Sequence, residues 1–179
     1  MTSTTFSGPA RLLHWIMAVL IIAMLFIGVA MVATVGTSHN WLVPLHKSVG
    51  ATLLVLVLAR LAVRAIHRPP PLPAEMPGPQ KAIAHLSHLV LYALMIALPL
   101  VGWSMLSAGG YPITVFGALH LPPLLSPDRA LYATLRHLHT YLAYTLFLTV
   151  IAHLSAALMH GLLFKDGVFQ SMAAWRTRR

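Results

Sequence analysis

The chain has 179 residues, of which 58% are hydrophobic and only 8% are Asp, Glu, Lys or Arg, and its mean hydropathy is +0.79. That balance excludes an ordinary soluble domain and fits a single membrane-embedded domain over residues 1–179. The formal charge of +9 is not a nucleic-acid signal, because the cations are sorted by loop, and the absence of cysteine excludes disulfides, iron–sulfur clusters, thiolate zinc sites and covalently attached haem.

Four apolar runs are long enough to cross a bilayer, which takes about 20 residues. They read roughly as Leu12–Ala33, Leu45–Ile66, Ile83–Leu106 and Leu138–Phe164. Helix is the expected form, because every backbone polar group must be satisfied within lipid. The first run is too long for the apolar part of a signal peptide and carries a histidine, so it is read as retained. A short loop, about Thr34–Pro44, follows it. The second and third runs are joined by His67–Gln80, where Pro69, Pro70, Pro71, Pro73, Pro77 and Pro79 make a stiff, extended connector. The longest loop is about Ser107–Arg136. Its apolar stretch Ile113–Leu121 is too short to span and reads as a surface segment, a cap on the bundle or a plain connector. The tail, Asp166–Arg179, is polar and basic, with Trp175 and its arginines suited to the headgroup region.

The fold class is therefore all-α: a membrane-spanning four-helix bundle running up-down-up-down. Arg11, Arg60, Arg64, Arg68, Lys81, Lys165, Arg176, Arg178 and Arg179 fall on one side, against Lys47, Arg129 and Arg136 on the other. By the positive-inside rule both termini are cytoplasmic. The localisation expected is a bacterial inner membrane, crossed several times.

Eleven histidines stand out against this background. An ionisable ring in a membrane span is costly and normally has a partner and a task. In the fourth run His139, His153 and His160 are separated by fourteen and seven residues and project from similar faces of one helix. His139 and His153 differ by about 21 Å of rise, which suits two stacked cofactors. His46 opens the second run at the depth of His139. Gly50, one turn on, would let a flat macrocycle lie close. His14 opens the first run and is the natural partner for a residue on the inner half of the fourth. Depth alone leaves His153 and His160 both open, and His160 is the nearer to the inner edge. His85 and His88 open the third run as an alternative ligand pair, as contacts to haem propionates or a quinone, or as wet interfacial rings. His39, His67 and His120 read as solvated, and His137 as a neighbour of the site.

Zinc needs three or four ligands converging on one point. These histidines form separated pairs, and the few carboxylates, Glu75, Asp128 and Asp166, lie outside the runs. Iron in a porphyrin needs only two axial ligands and an apolar slot. With both axial positions filled, the remaining chemistry is electron transfer.

The chain resembles the bacterial cytochrome b561 family over nearly its whole length. The resemblance is carried by Arg11-Leu12-Leu13-His14-Trp15, by Leu45-His46-Lys47-Ser48-Val49-Gly50, by His85-Leu86-Ser87-His88 with Tyr92, by Leu98-Pro99-Leu100-Val101-Gly102-Trp103, and by His137-Leu138-His139-Thr140 with His153. It implies two haem b groups, with His14 and His153 as axial ligands of the inner haem and His46 and His139 of the outer. It also implies electron exchange with ubiquinone. One branch is similar to a superoxide oxidase, which passes electrons from superoxide to quinone. Other branches are haem-b anchor subunits that relay electrons for a partner dehydrogenase or hydrogenase.

The leading expectation is thus an oxidoreductase of the superoxide:ubiquinone type, with lipid, quinone and a small anionic electron donor as its partners. Lys47, Arg129 and Arg136, with His120 and His137, would make the outer mouth attractive to an anion, though Asp128 works against this. Arg11, Lys81, His85 and His88, with Phe164, are the candidate propionate or quinone contacts at the inner end. The alternative is the anchor subunit, marked by a stoichiometric protein partner. A transition-metal transporter is the third reading, disfavoured by the lack of carboxylates in the runs.

Overall fold

A computed structural model of the chain describes residues 5–34 and 36–173. It contains helix α1 (Gly8–Ala33), α2 (Thr37–Ile66), α3 (Gly78–Ala108) and α4 (Arg129–Leu158), which continues into a π-helical turn at Met159–Phe164. These four are long and apolar enough to cross a membrane. Between α3 and α4 lie two short strands, β1 (Ile113–Val115) and β2 (Leu119–Leu121), and a short helix α5 (Val168–Ala173) follows the π turn. The tail residues Trp175, Arg176, Arg178 and Arg179 lie outside the described residues.

Each helix begins before its apolar run. Pro9 and Pro79 sit in the first turns of α1 and α3, where the missing N–H costs nothing. Asp128 caps α4, its Oδ1 accepting from Leu131 N at 3.0 Å. The expected loop Thr34–Pro44 is mostly the first turns of α2, which runs on through Pro44. The expected loop Ser107–Arg136 is likewise shortened, because α4 starts at Arg129. Hydropathy marks only the stretch that contacts lipid, and the helices extend beyond it into polar sequence.

α1 packs on α2, α3 on α4, and α2 joins the two pairs through α3, while α4 makes no comparable approach to α1 or α2. The first pair comes close at Gly50, where an added Cβ would lie 3.3 Å from Met24 Cε. Gly50 thus lets the Met24 side chain of α1 lie against α2. The core consists of Met17, Ile21, Leu53, Val57, Leu94, Leu98 and Leu146, one layer across the middle of the bundle. Polar side chains and histidines lie above and below it.

One end of the bundle, the termini end, holds the start of α1 and the short helix α5. Phe6 N donates to Ser171 O at 3.1 Å and Trp15 Nε1 to Met172 O at 3.3 Å, which ties α5 to α1. The other end is closed by the β-hairpin, with Ile113 opposite Leu121 and Val115 opposite Leu119. Ile113 and Val115 are buried beneath it. The turn places Phe116 and Gly117 at φ 50° and 72°, in the left-handed region. Two buried serines fasten this cap. Ser48 donates to Pro44 O and accepts from Phe116 N at 2.9 Å. Ser107 donates to Trp103 O and accepts from Leu124 N at 3.0 Å. Of the three readings of Ile113–Leu121, the cap is the one observed.

Candidate functional site: two facing histidine pairs

α4 carries His139 and His153 on one stripe, and the neighbouring pair of helices answers each of them. His46 of α2 faces His139 with ring centres 6.2 Å apart. His14 of α1 faces His153 with ring centres 6.4 Å apart. The two pairs stand on either side of the apolar core layer, one towards the hairpin end and one towards the termini end. They span the gap where α4 stays away from α1 and α2.

Small residues make room at the hairpin-end pair. A Cβ on Gly102 would sit 3.3 Å from His139 Cε1, and one on Gly28 would sit 3.9 Å from His46 Cε1. The Nδ1 atoms of both rings are buried without a hydrogen-bond partner among the described residues, although the His139 ring approaches the Leu98 carbonyl. Buried ring nitrogens are costly unless something engages the ring. No group of three or more His, Asp or Glu side chains converges as a bare metal ion requires, among the described residues.

The termini end holds a larger cluster. His88 lies against His153, with ring centres 5.4 Å apart, and its Nδ1 donates to Ala84 O at 2.6 Å. Arg60 of α2 is in electrostatic reach of His14, His88 and His153. Its Nε donates to Tyr92 OH at 3.0 Å, and Arg64 lies over the Tyr92 ring, 5.9 Å from the centroid.

The remaining sequence candidates are placed as follows. His160 does not face His14: its Nδ1 is 2.6 Å from Asp166 Oδ2, an ion pair when the ring is protonated. Lys81 reaches back to the connector, donating to Ala74 O at 3.1 Å. His85 is exposed one turn before His88, and Arg11 is half-buried one turn before His14. His39, His67, His120 and His137 are exposed. The sequence gives Arg60 as a topological charge, but an arginine inside a span, in a chain with almost no carboxylate, already signals more.

The family described as prokaryotic cytochrome b561 matches residues 5–175. The chain belongs to the prokaryotic cytochrome b561 family. It is 33% identical over 163 residues to cytochrome b561 homolog 2 of Escherichia coli K12, covering 89% of this chain and 86% of that protein. It is 29% identical over 162 residues to the probable superoxide oxidase CybB of Yersinia pestis, covering 89% and 90%. Cytochrome b561 homolog 1 of E. coli K12 is 28% identical over 127 residues, covering 71% and 72%. As a b561 protein the chain is a multi-pass bacterial membrane protein of electron transfer, embedded in lipid, with redox partners, and its family binds haem b.

The residues present fit that group. A ring nitrogen lies about 1 Å from its ring centre and an imidazole–metal bond is about 2 Å, so two rings on opposite sides of one ion have centres roughly 6 Å apart. Both observed pairs, at 6.2 and 6.4 Å, meet this spacing.

Proposed function

We propose that this b561 protein holds two haem b groups, one between His14 and His153 and one between His46 and His139, and conducts single electrons across the membrane to ubiquinone. Bound haem with two imidazole ligands supplies one-electron transfer between the ferric and ferrous states. The observation that carries the reading is the pair of facing histidine sets at opposite ends of one apolar layer. The chain's own residues do the rest. α4 spaces the sites, the core from Met17 to Leu146 insulates them, and Gly28 and Gly102 leave room beside the hairpin-end rings.

We place the termini in the cytoplasm of a bacterium with this inner-membrane protein, since the order of spans and loops in the sequence assigns nine of the twelve Lys and Arg to that side. The hairpin end then faces outward. It presents the exposed Arg129 and Arg136 of α4, while Lys47 donates to Pro112 O at 3.2 Å. These cations support a small anionic donor there, and superoxide is the donor favoured, in keeping with the name of the Yersinia relative. Quinone is assigned to the termini end.

The test is direct. The purified protein should carry two extractable haems per chain with low-spin spectra. Superoxide should reduce them in stopped flow, and a soluble ubiquinone should reoxidise them. Protein that carries no haem sinks the reading. Haem that only a co-purifying dehydrogenase can reduce transfers the assignment to an anchor subunit.

A further inference from the structure

Arg60 poses a problem of charge. It lies in α2, six residues before the helix end at Ile66, and His14 lies six residues after the start of α1, each about 9 Å of helical rise from the termini end. A guanidinium cannot shed its proton, so a cation inside a span needs an anion. Among the described residues no carboxylate supplies one. Glu75 is exposed in the connector, Asp128 caps α4 at the other end, and Asp166 is paired with His160.

The guanidinium is nevertheless positioned. Its Nε is spent on the Tyr92 hydroxyl, and its NH1 is buried with no hydrogen-bond partner among the described residues. The Tyr92 oxygen accepts that bond and keeps its own proton to donate. Arginine and tyrosine together thus present donors and a full positive charge beside the His14–His153 pair. A planar guanidinium edge suits a carboxylate.

The neighbouring candidates are less suited to that role. His88 gives its Nδ1 proton to the Ala84 carbonyl, which can only accept, so a neutral His88 offers Nε2 as an acceptor. Lys81 is turned to the connector.

We propose that Arg60, braced by Tyr92, is the anion clamp of the termini-end site: it pairs with a propionate carboxylate of the porphyrin held between His14 and His153. The inference rests on the proposed haem sites and adds the residue that recognises the macrocycle's acidic edge. A charge-assisted hydrogen bond of about 1.5–3 kcal/mol corresponds to roughly a ten- to hundredfold change in retention.

The experiment follows loss of each haem to an excess of an apo-haem scavenger, read by visible spectroscopy. The haem missing from His14→Ala defines the termini-end signal. Arg60→Gln should shed that haem roughly ten- to hundredfold faster, with the other haem unchanged. Arg60→Lys should recover part of the loss and Tyr92→Phe should fall between. The decisive arm uses haem dimethyl ester, which lacks both carboxylates, bound to stripped protein. Wild type and Arg60→Gln should then lose the ester at equal rates. If Arg60→Gln does not fold, wild type carries the test alone, shedding the ester faster than native haem. Equal loss of native haem from wild type and Arg60→Gln overturns the clamp. So does an Arg60→Gln effect that persists with the ester, which would assign the charge to a lipid phosphate or to structure. Wild-type protein without haem refutes the underlying sites instead.

Discussion

A histidine costs free energy in lipid unless its ring is engaged, and the proposed haem sites engage the four paired rings but not His160. His46→Ala or His139→Ala should remove the hairpin-end haem and leave the other largely intact. His14→Ala or His153→Ala should do the reverse. His160→Ala should leave both, since its partner is Asp166. Haem extraction with visible spectra of each variant checks this, and loss of a haem from His160→Ala would redraw the termini-end pair. Room at the site is equally testable. Gly102→Val would drive a branched side chain towards His139, because the first added carbon already stands 3.3 Å from its Cε1. It should displace the hairpin-end haem selectively, seen as a shifted or missing spectral component. The depths of His46 and His139 could be matched from residue counts along apolar runs. His153 against His160 could not, because both lie on the same stripe and the π turn that directs His160 to Asp166 leaves no hydropathy signal. The role proposed for Arg60 is not legible in the sequence, because its sorting with the other cations of the termini side already accounts for it.

The long helices are legible because lipid imposes a single solution on a run of about 20 apolar residues. Their polar first turns, the passage of α2 through Pro44 and the hairpin are not. Strands of three residues are too short to show alternation, and the cap is held by contacts distant in sequence. Ser48 is the key contact, 68 positions from Phe116 and only two from His46. Ser48→Ala would leave the Phe116 N–H without that acceptor, at a cost of about 1–3 kcal/mol if water cannot reach it. We expect faster hydrogen exchange at the hairpin, with α1 and α4 protected as before. An unchanged exchange rate at Phe116 would mean that Ile113 and Val115 hold the cap by burial alone.

Across the whole molecule, charge is sorted along the axis of the proposed electron path. The buried residues of the middle layer are all apolar, and among the described residues the termini side gathers most of the cations while the hairpin side keeps Lys47, Arg129 and Arg136. An exposed cation attracts an anion over about a Debye length, near 10 Å at 0.1 M salt. Arg129 and Arg136 lie in the first turns of α4, and the His139 ring stands on the same helix, so their field covers the approach to that site. Lys47 follows His46 directly, but its ammonium is tied to Pro112 O and contributes charge more than contact. Asp128 offsets one of the three. The net attraction is therefore modest and should appear in the rate of encounter rather than in the haem itself. Reduction by superoxide should slow as ionic strength rises. Neutralising Lys47, Arg129 and Arg136 together should slow it further at low salt and flatten the salt dependence, with haem content unchanged. Stopped-flow traces at several ionic strengths make the comparison. A triple variant that keeps the wild-type salt slope would place the anion's approach elsewhere, and a neutral donor that showed the same slope would remove electrostatic steering from the account.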